Sequence, residues 1–402
     1  MVMSNKKVIE LIEYNPTELD KSFLDESTGE YIWKEYSKQI NLEFPSRITD
    51  NKWRLTCLGW VGYIRINRDL DIILKPKILI KNLFLMWEYA YRLKSFHILD
   101  GLIECESILD FYNQLAKVLV KKVVQRGKIG YYKTYEKRED ILTYVSGKID
   151  VDYLIRNPIR SNIKCEFYED TTDNEENQII LWTIYTILKS NLLKEDLKDT
   201  IRSVYRSMSN FISLKRVSHY KCSNRRYTSL NHDYKTIHSL CRLFLENIGP
   251  TYKIGTTNML PFIVNMGRIF ELFIAEWLKI NLPKQLELKY QEKVYVGEKN
   301  EMIFHVDLVI YDRKTGKAKC VIDTKYKNTK KPKREDIYQI TTYAVSKGCK
   351  KAILVYPSEL CSVNSLYIND IKIHSLIFNI GENIENSGKE FLEDLLNILE
   401  DS

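Results

Sequence analysis

Residues 305–327, HVDLVIYDRKTGKAKCVIDTKYK, constrain the fold more tightly than any other part of the chain. Two short apolar runs, 306–310 and 320–322, read as strands, and Lys314-Thr315-Gly316 marks the turn between them. A hairpin of this kind brings Asp307, the lone acid of the first strand, close to Asp323 at the end of the second. Side chains alternate faces along a strand, so Asp323 and Lys325 share one face and Thr324 points to the other. Two carboxylates and one ammonium then converge on a small volume. Such a set suits a hard divalent cation such as Mg²⁺, which takes oxygen ligands and keeps several waters. A lysine beside that cation can orient, or help deprotonate, a water that attacks phosphorus. The residues point to metal-dependent phosphodiester hydrolysis.

The acid-x-Lys tripeptide alone carries little weight, because Asp196-Leu-Lys198, Asp233-Tyr-Lys235, Glu287-Leu-Lys289, Asp312-Arg-Lys314 and Asp370-Ile-Lys372 share it. Context separates Asp323-Thr324-Lys325 from these. It follows Cys320-Val321-Ile322, and the preceding strand embeds one acid among Val306, Leu308, Val309 and Ile310. A charge inside a buried strand is costly unless it is paired or bound to a metal. An edge hairpin with its acids and lysines in water accounts for the same residues.

The flanks add candidates. Residues 266–278 have helical periodicity, with Ile269, Phe270, Phe273, Ile274, Trp277 and Leu278 in one apolar stripe and Glu271 at its margin. Residues 333–346 read as a second helix, with Gln339 and Tyr343 four apart on one face. A solvated helix charge at Glu271 and a polar rim at Gln339 and Tyr343 remain alternatives.

The order of helix (Glu271), strand (286–296), strand (Asp307), strand (Asp323, Lys325), helix (Gln339, Tyr343) and strand (351–356) resembles the PD-(D/E)xK nuclease core. The Gln-x-x-x-Tyr element is similar to that of the RecB-type branch. The resemblance implies that Asp307 and Asp323 bind metal, together with the backbone carbonyl of Thr324, and that Lys325 acts on the nucleophilic water. It implies that Glu271 assists the metal and that Gln339 and Tyr343 support the site or contact DNA. Val306 stands where the motif often has proline.

At 402 residues the chain is long enough for two or three domains with real cores. Its net charge of +8 is modest over that length, while the basic run 325–334 suits either a phosphate backbone or a solvated loop. Eight cysteines lie singly at 57, 105, 165, 222, 241, 320, 349 and 361, so neither a zinc site nor a disulfide framework is suggested. His305 reads as a flank of the site strand. The start lacks the apolar run of a signal peptide, and Lys75, Lys77 and Lys81 interrupt the best membrane-span candidate. A cytoplasmic protein without a membrane segment is expected.

The pattern divides the chain into three parts: a β-rich amino-terminal region (1–95), a mostly helical middle (96–250) and a nuclease-like mixed sheet flanked by helices (251–402). The expected class is a multidomain α+β or α/β fold. The first part is expected to open with an acidic, helix-tending segment, continue in strands over 55–66 and 70–74 about the turn Asn67-Arg68-Asp69, and enter a helix over 82–93. Apolar helical stripes run over 108–124, 177–193, 198–213 and 234–247, interrupted by a β-like piece at 128–149. Gly249-Pro250 and Gly255 mark the second boundary.

Further pieces resemble McrC-type restriction subunits: Val61-Gly62-Tyr63-Ile64, residues 72–78 and 82–90, Arg126-Gly127-Lys128 through Tyr131-Tyr132, residues 145–150, and 171–177 leading into a helix. With the nuclease core, the resemblance runs from about residue 55 to 357. It implies cleavage of double-stranded DNA in partnership with a McrB-like AAA+ GTPase hexamer, the amino-terminal region docking on that ring and stimulating it. The chain has no G-x-x-x-x-G-K-[ST] loop of its own, so no nucleotide is expected to bind it by that route. Three other readings compete: a scaffold for the motor with a silent nuclease domain, a stand-alone or helicase-associated repair or defence nuclease, and a noncatalytic DNA-binding protein.

Overall fold

The computed structural model describes residues 7–67, 69–92, 105, 107–158, 162–190, 192–223, 225–248, 252–254, 257–296, 302–327, 331–358, 365–381 and 383–400. Arg68, Leu93, Gly249, Pro250, Gly255 and residues 328–330 of the basic run lie outside them. The chain divides into two compact units, one formed by 1–111 with 247–402 and the other by Tyr112–Glu246. The amino-terminal strands and the carboxy-terminal sheet, assigned by pattern to separate segments, therefore share a unit. The class is mixed α+β, with strands first, helices in the middle and a mixed sheet last.

The first unit begins with β1 (Lys7–Ile12), β2 (Pro16–Leu19), α1 (Glu26–Tyr36), β3 (Ile40–Glu43), β4 (Trp53–Cys57), β5 (Trp60–Arg65), β6 (Leu70–Lys75) and α2 (Ile80–Ala90). The helix-tending opening is realised only as α1; residues 7–19 ahead of it are corrected to the strands β1 and β2. Acidic composition suggested a helix, but Ile9 and Leu11 are buried while Val8 and Glu10 are exposed, the period of two that a strand requires. β1 runs parallel to β6, and β5 pairs with both β6 and the later strand Phe262–Asn265. β4 lies between β2 and β3 in a separate sheet.

The second unit takes most of α3 (Ile108–Ile129), then β7 (Thr134–Leu142), β8 (Lys148–Ile149), α4 (Val151–Arg156), β9 (Ile163–Thr171), α5 (Glu175–Ser190), α6 (Glu195–Ser209) and α7 (Tyr234–Asn247). Each of the four predicted stripes contains a helix, with α5 ending at Ser190 and α6 at Ser209, short of the expected 193 and 213. β9 gave no apolar alternation because its ribbon with β7 is largely solvated, and ion pairs such as Lys137–Glu166 and Arg138–Glu169 cross between the strands.

The chain re-enters the first unit through the hairpin of β10 (Tyr252–Ile254) and β11 (Thr257–Met259), followed by β12 (Phe262–Asn265). There follow α8 (Met266–Asn281), β13 (Leu286–Val296), β14 (Met302–Asp312), β15 (Ala318–Thr324), α9 (Arg334–Lys347), β16 (Lys351–Tyr356), β17 (Ser365–Ile368), β18 (Ile371–Ile377) and α10 (Ile384–Glu400). The second sheet has the order β13-β14-β15-β16-β18-β17, with β15, β16 and β18 mutually parallel and the other pairs antiparallel. Asp312 Oδ1 accepts from the backbone N–H groups of Lys314 and Thr315, and Gly316 at φ 67° completes the β14–β15 turn. All six residues of the predicted α8 stripe are buried. Each such side chain contributes on the order of 2 kcal/mol of transfer free energy. Among the described residues, no helix is long and apolar enough to cross a membrane.

Candidate active site

The register of the sheet decides which polar groups meet. Leu308 pairs with Ile322 across β14 and β15, so the next pair outward is Asp307 with Asp323. On the other side of β14, Tyr290 pairs with Leu308 and Glu292 with Val306, which sets Gln291 opposite Asp307. A row of three polar residues therefore crosses three adjacent strands, directly against apolar neighbours. Val306, Leu308, Val321 and Ile322 are all fully buried. Directly opposed residues of regularly paired strands present their side chains to one face, which brings Asp307 and Asp323 together; Gln291 joins the row through an irregular position of β13.

Asp323 is only 1 % exposed, and Lys325 Nζ lies 2.6 Å from its Oδ2. Its Oδ1 has no hydrogen-bond partner among the described residues. Burial raises both carboxyls above the usual range. For Asp307 the charges of Asp323 and Glu271 add to the rise, while Lys325 opposes it. Two acids this close cannot both ionise cheaply without a cation between them. Burial alone would lower the Lys325 ammonium, but Asp323, Asp336 and Asp307 outweigh it and hold the group above its ordinary value. Lys325 is a fixed positive charge at neutral pH.

Helices on either side complete the cluster. Asn265 caps α8 by accepting from Arg268 N–H at 2.9 Å, and one turn on Glu271 Oε1 accepts from Arg268 Nη1 at 3.2 Å and from Gln291 Nε2 at 2.8 Å. From α9, Gln339 Oε1 accepts from Lys325 Nζ at 2.9 Å, and Gln339 Nε2 donates to the Tyr343 hydroxyl at 2.8 Å. Thr324 pairs with Val355 of β16, and the following Lys325 N–H donates to Val355 O at 2.8 Å. The structure thus gathers Glu271, Asp307, Asp323, Lys325 and Gln339, with Tyr343 attached through Gln339.

Three participants were not singled out in the sequence. Gln291 sits in an ordinary-looking strand. Asp336 reads as a first-turn helix acid, yet it is 3 % exposed and lies 2.7 Å from Lys327 and 3.8 Å from Lys325. Tyr356, at the end of β16, is 1 % exposed, and burial, with the charges of Asp336 and Asp323 added, raises its phenol. The first two lysines of the basic run accordingly face acids.

The donor set fits a small hard cation. Asp323 offers an unsatisfied buried oxygen, Asp307 stands opposite, and Glu271 is near enough to act on Asp307. Among the described residues no three His, Cys, Asp or Glu side chains close on a common point. An ion here would draw on few carboxylates and keep water, as Mg²⁺ commonly does.

A family model described as the McrBC 5-methylcytosine restriction system component matches residues 55–357. The chain belongs to that family. The match runs from within β4 to just beyond β16, and so contains every member of the polar cluster. A curated member, the type IV methyl-directed restriction enzyme EcoKMcrBC of Escherichia coli K12, is 24 % identical over 340 residues, covering 77 % of this chain and 94 % of that protein. A solved assembly of Thermococcus gammatolerans McrB AAA+ hexamers with bound McrC contains a chain of the same fold. The TM-score is 0.59 at 16 % identity, over 98 % of this chain and all of that one. As a McrBC family member, the chain is a component of a restriction system.

Proposed function

We propose that this McrBC family member is the Mg²⁺-dependent nuclease subunit of its system and hydrolyses phosphodiester bonds in double-stranded DNA. The reading rests on one observation: Asp307 and Asp323 face each other across β14 and β15, with Lys325 Nζ 2.6 Å from the second. A solvated edge hairpin would leave these groups in water, whereas Asp323 is almost wholly buried. The relative from Escherichia coli is a methyl-directed restriction enzyme, and the related Thermococcus chain sits on McrB AAA+ hexamers. By extension, this chain works with an AAA+ GTPase of that kind, and modified DNA is its expected target.

Mg²⁺ held by Asp307 and Asp323, with Glu271 assisting and the Thr324 carbonyl as a further oxygen, would neutralise phosphate charge and acidify a water. Lys325, held beside Asp323 and Gln339, would orient that water and offset negative charge on the phosphoryl oxygens. Gln339 and Asp336 restrict the ammonium to one direction, and the Tyr343 hydroxyl holds the Gln339 amide.

The test is reconstitution with a McrB-like partner, Mg²⁺ and GTP on methylated and unmethylated plasmid. Wild type cuts. Asp323→Ala and Lys325→Ala bind the partner but do not cut. Wild-type cutting rates in either variant would remove these residues from the chemistry.

A further inference from the structure

Gln291 breaks the alternation of β13. Its φ is 52°, in the left-handed region that a residue with a branched or long side chain seldom enters. Consecutive residues of a regular strand point to opposite faces. Here Tyr290 and Gln291 both reach α8: the Tyr290 hydroxyl accepts from Arg268 Nη1, and Gln291 Nε2 donates to Glu271 Oε1 at 2.8 Å. The next residue, Glu292, has already turned away, accepting from the Tyr311 hydroxyl at 2.6 Å and pairing with Lys347. One irregular residue thus exchanges the faces of the strand, and it lies between the Tyr290–Leu308 and Glu292–Val306 pairs, opposite Asp307. Glycine would adopt this backbone without cost, yet the position carries an amide whose N–H is spent on an acid of the site.

We infer that Gln291 is a positioning residue: its left-handed backbone and its amide hold the Glu271 carboxylate against Asp307 and so set the affinity of the acidic cluster for a divalent cation. The inference rests on the proposed metal site. Outer-shell partners of this kind typically change metal affinity by about 10–100-fold when removed. Gln291 acts through the contact from its Nε2 to Glu271 Oε1. Its contribution is confined to the direction of Glu271.

The test is calorimetric titration of Mn²⁺ into the full chain without DNA, for wild type, Gln291→Gly, Gln291→Ala and Asp323→Ala, with the melting temperature of each ion-free protein. Gln291→Gly is expected to bind Mn²⁺ about tenfold or more weakly while melting no lower than wild type, since glycine relieves the backbone. Gln291→Ala, which keeps Cβ but loses the amide, is expected to show the same loss of affinity. Wild-type affinity in both variants overturns this inference alone. Weakened affinity accompanied by a collapsed melting temperature in both makes Gln291 a structural residue and overturns it too. If wild type takes up no more Mn²⁺ than Asp323→Ala, the metal site itself is wrong, and the inference falls with it.

Discussion

Tyr326 donates its hydroxyl to Glu13 Oε2 at 2.9 Å, tying the residue after Lys325 to the end of β1 across 313 positions of sequence. The Lys77 backbone N–H donates to the same oxygen at 3.1 Å, and Tyr14 returns a bond to the Tyr326 carbonyl at 3.0 Å. Glu13 is fully buried, and burial raises its carboxyl from 4.5 to about 7 despite the Lys77 N–H, the Tyr326 hydroxyl and the Lys77 charge. The folded protein therefore holds this proton more tightly than the unfolded chain. The contribution is complete below pH 4.5 and is lost as pH rises through 7, on the order of 3 kcal/mol. Glu13→Gln keeps an acceptor for both donors and has no charge to bury. Its melting temperature is expected to gain on wild type steadily between pH 5 and 8, as thermal melts across that range would record. A constant difference would mean that Glu13 is not the titrating group.

His238 has the opposite sign. It is fully buried in α7, and its Nε2 donates to Glu176 O while Nδ1 accepts from the Tyr227 hydroxyl, each at 3.0 Å. The neutral ring is satisfied on both sides, and burial lowers its pKa from 6.5 to about 4. Stability from this group is present above pH 6.5 and is lost as pH falls through 4, again on the order of 3 kcal/mol. Tyr227→Phe strands Nδ1 and is expected to cost about 1–3 kcal/mol at neutral pH. Denaturant titrations at pH 7 and pH 5 test both statements. An unchanged midpoint for Tyr227→Phe would show that the hydroxyl is not the proton donor.

The sequence exposed those parts of the fold and site where local pattern and chemistry coincide. The turn at Lys314-Thr315-Gly316, the lone acid in β14, the stripe of α8 and the 351–356 strand are all short-range signals, and each is realised. Gln291, Asp336 and Glu13 were hidden for a shared reason. Each looks ordinary beside its neighbours, and its significance arises from residues brought in by another element. β1 was hidden because only Ile9 and Leu11 carry its buried face, and the acids between and after them imitate a helix surface. The β-like piece at 128–149 is realised as β7 and β8, whereas their partner β9 was hidden because only Cys165 of it is buried and no apolar face betrays its period.

The Gln339–Tyr343 pair supplies a graded test of Lys325. Gln339→Ala removes one of the groups that fix the ammonium, a charged hydrogen bond worth about 1.5–3 kcal/mol, and so a rate loss of roughly tenfold or more. Tyr343→Phe leaves Gln339 in place and removes only its hydroxyl partner, so a smaller loss is expected. Single-turnover cutting by the reconstituted assembly measures both. Equal rates in wild type and Gln339→Ala would show that Asp323 and Asp336 suffice to hold the lysine.

Gly62 joins the amino-terminal sheet to the element that carries Glu271. It pairs with Ile263 across β5 and β12 at φ 154°, and a Cβ there would run into the Phe262 carbonyl and lie 2.9 Å from Ile263 Cα. The obstruction is backbone, which cannot rotate aside. Gly62→Ala must separate β12 from β5, and β12 leads through the Asn265 cap directly into α8. Gly316 provides the control, with φ 67° in the β14–β15 turn and nothing within 4 Å of the added carbon. Gly316→Ala is expected to cost about 1–2 kcal/mol from conformation alone, and Gly62→Ala more than about 3 kcal/mol from conformation and collision together. Parallel thermal melts decide the matter: if the two variants unfold at the same temperature, the close approach of β5 and β12 does not govern the stability of this sheet.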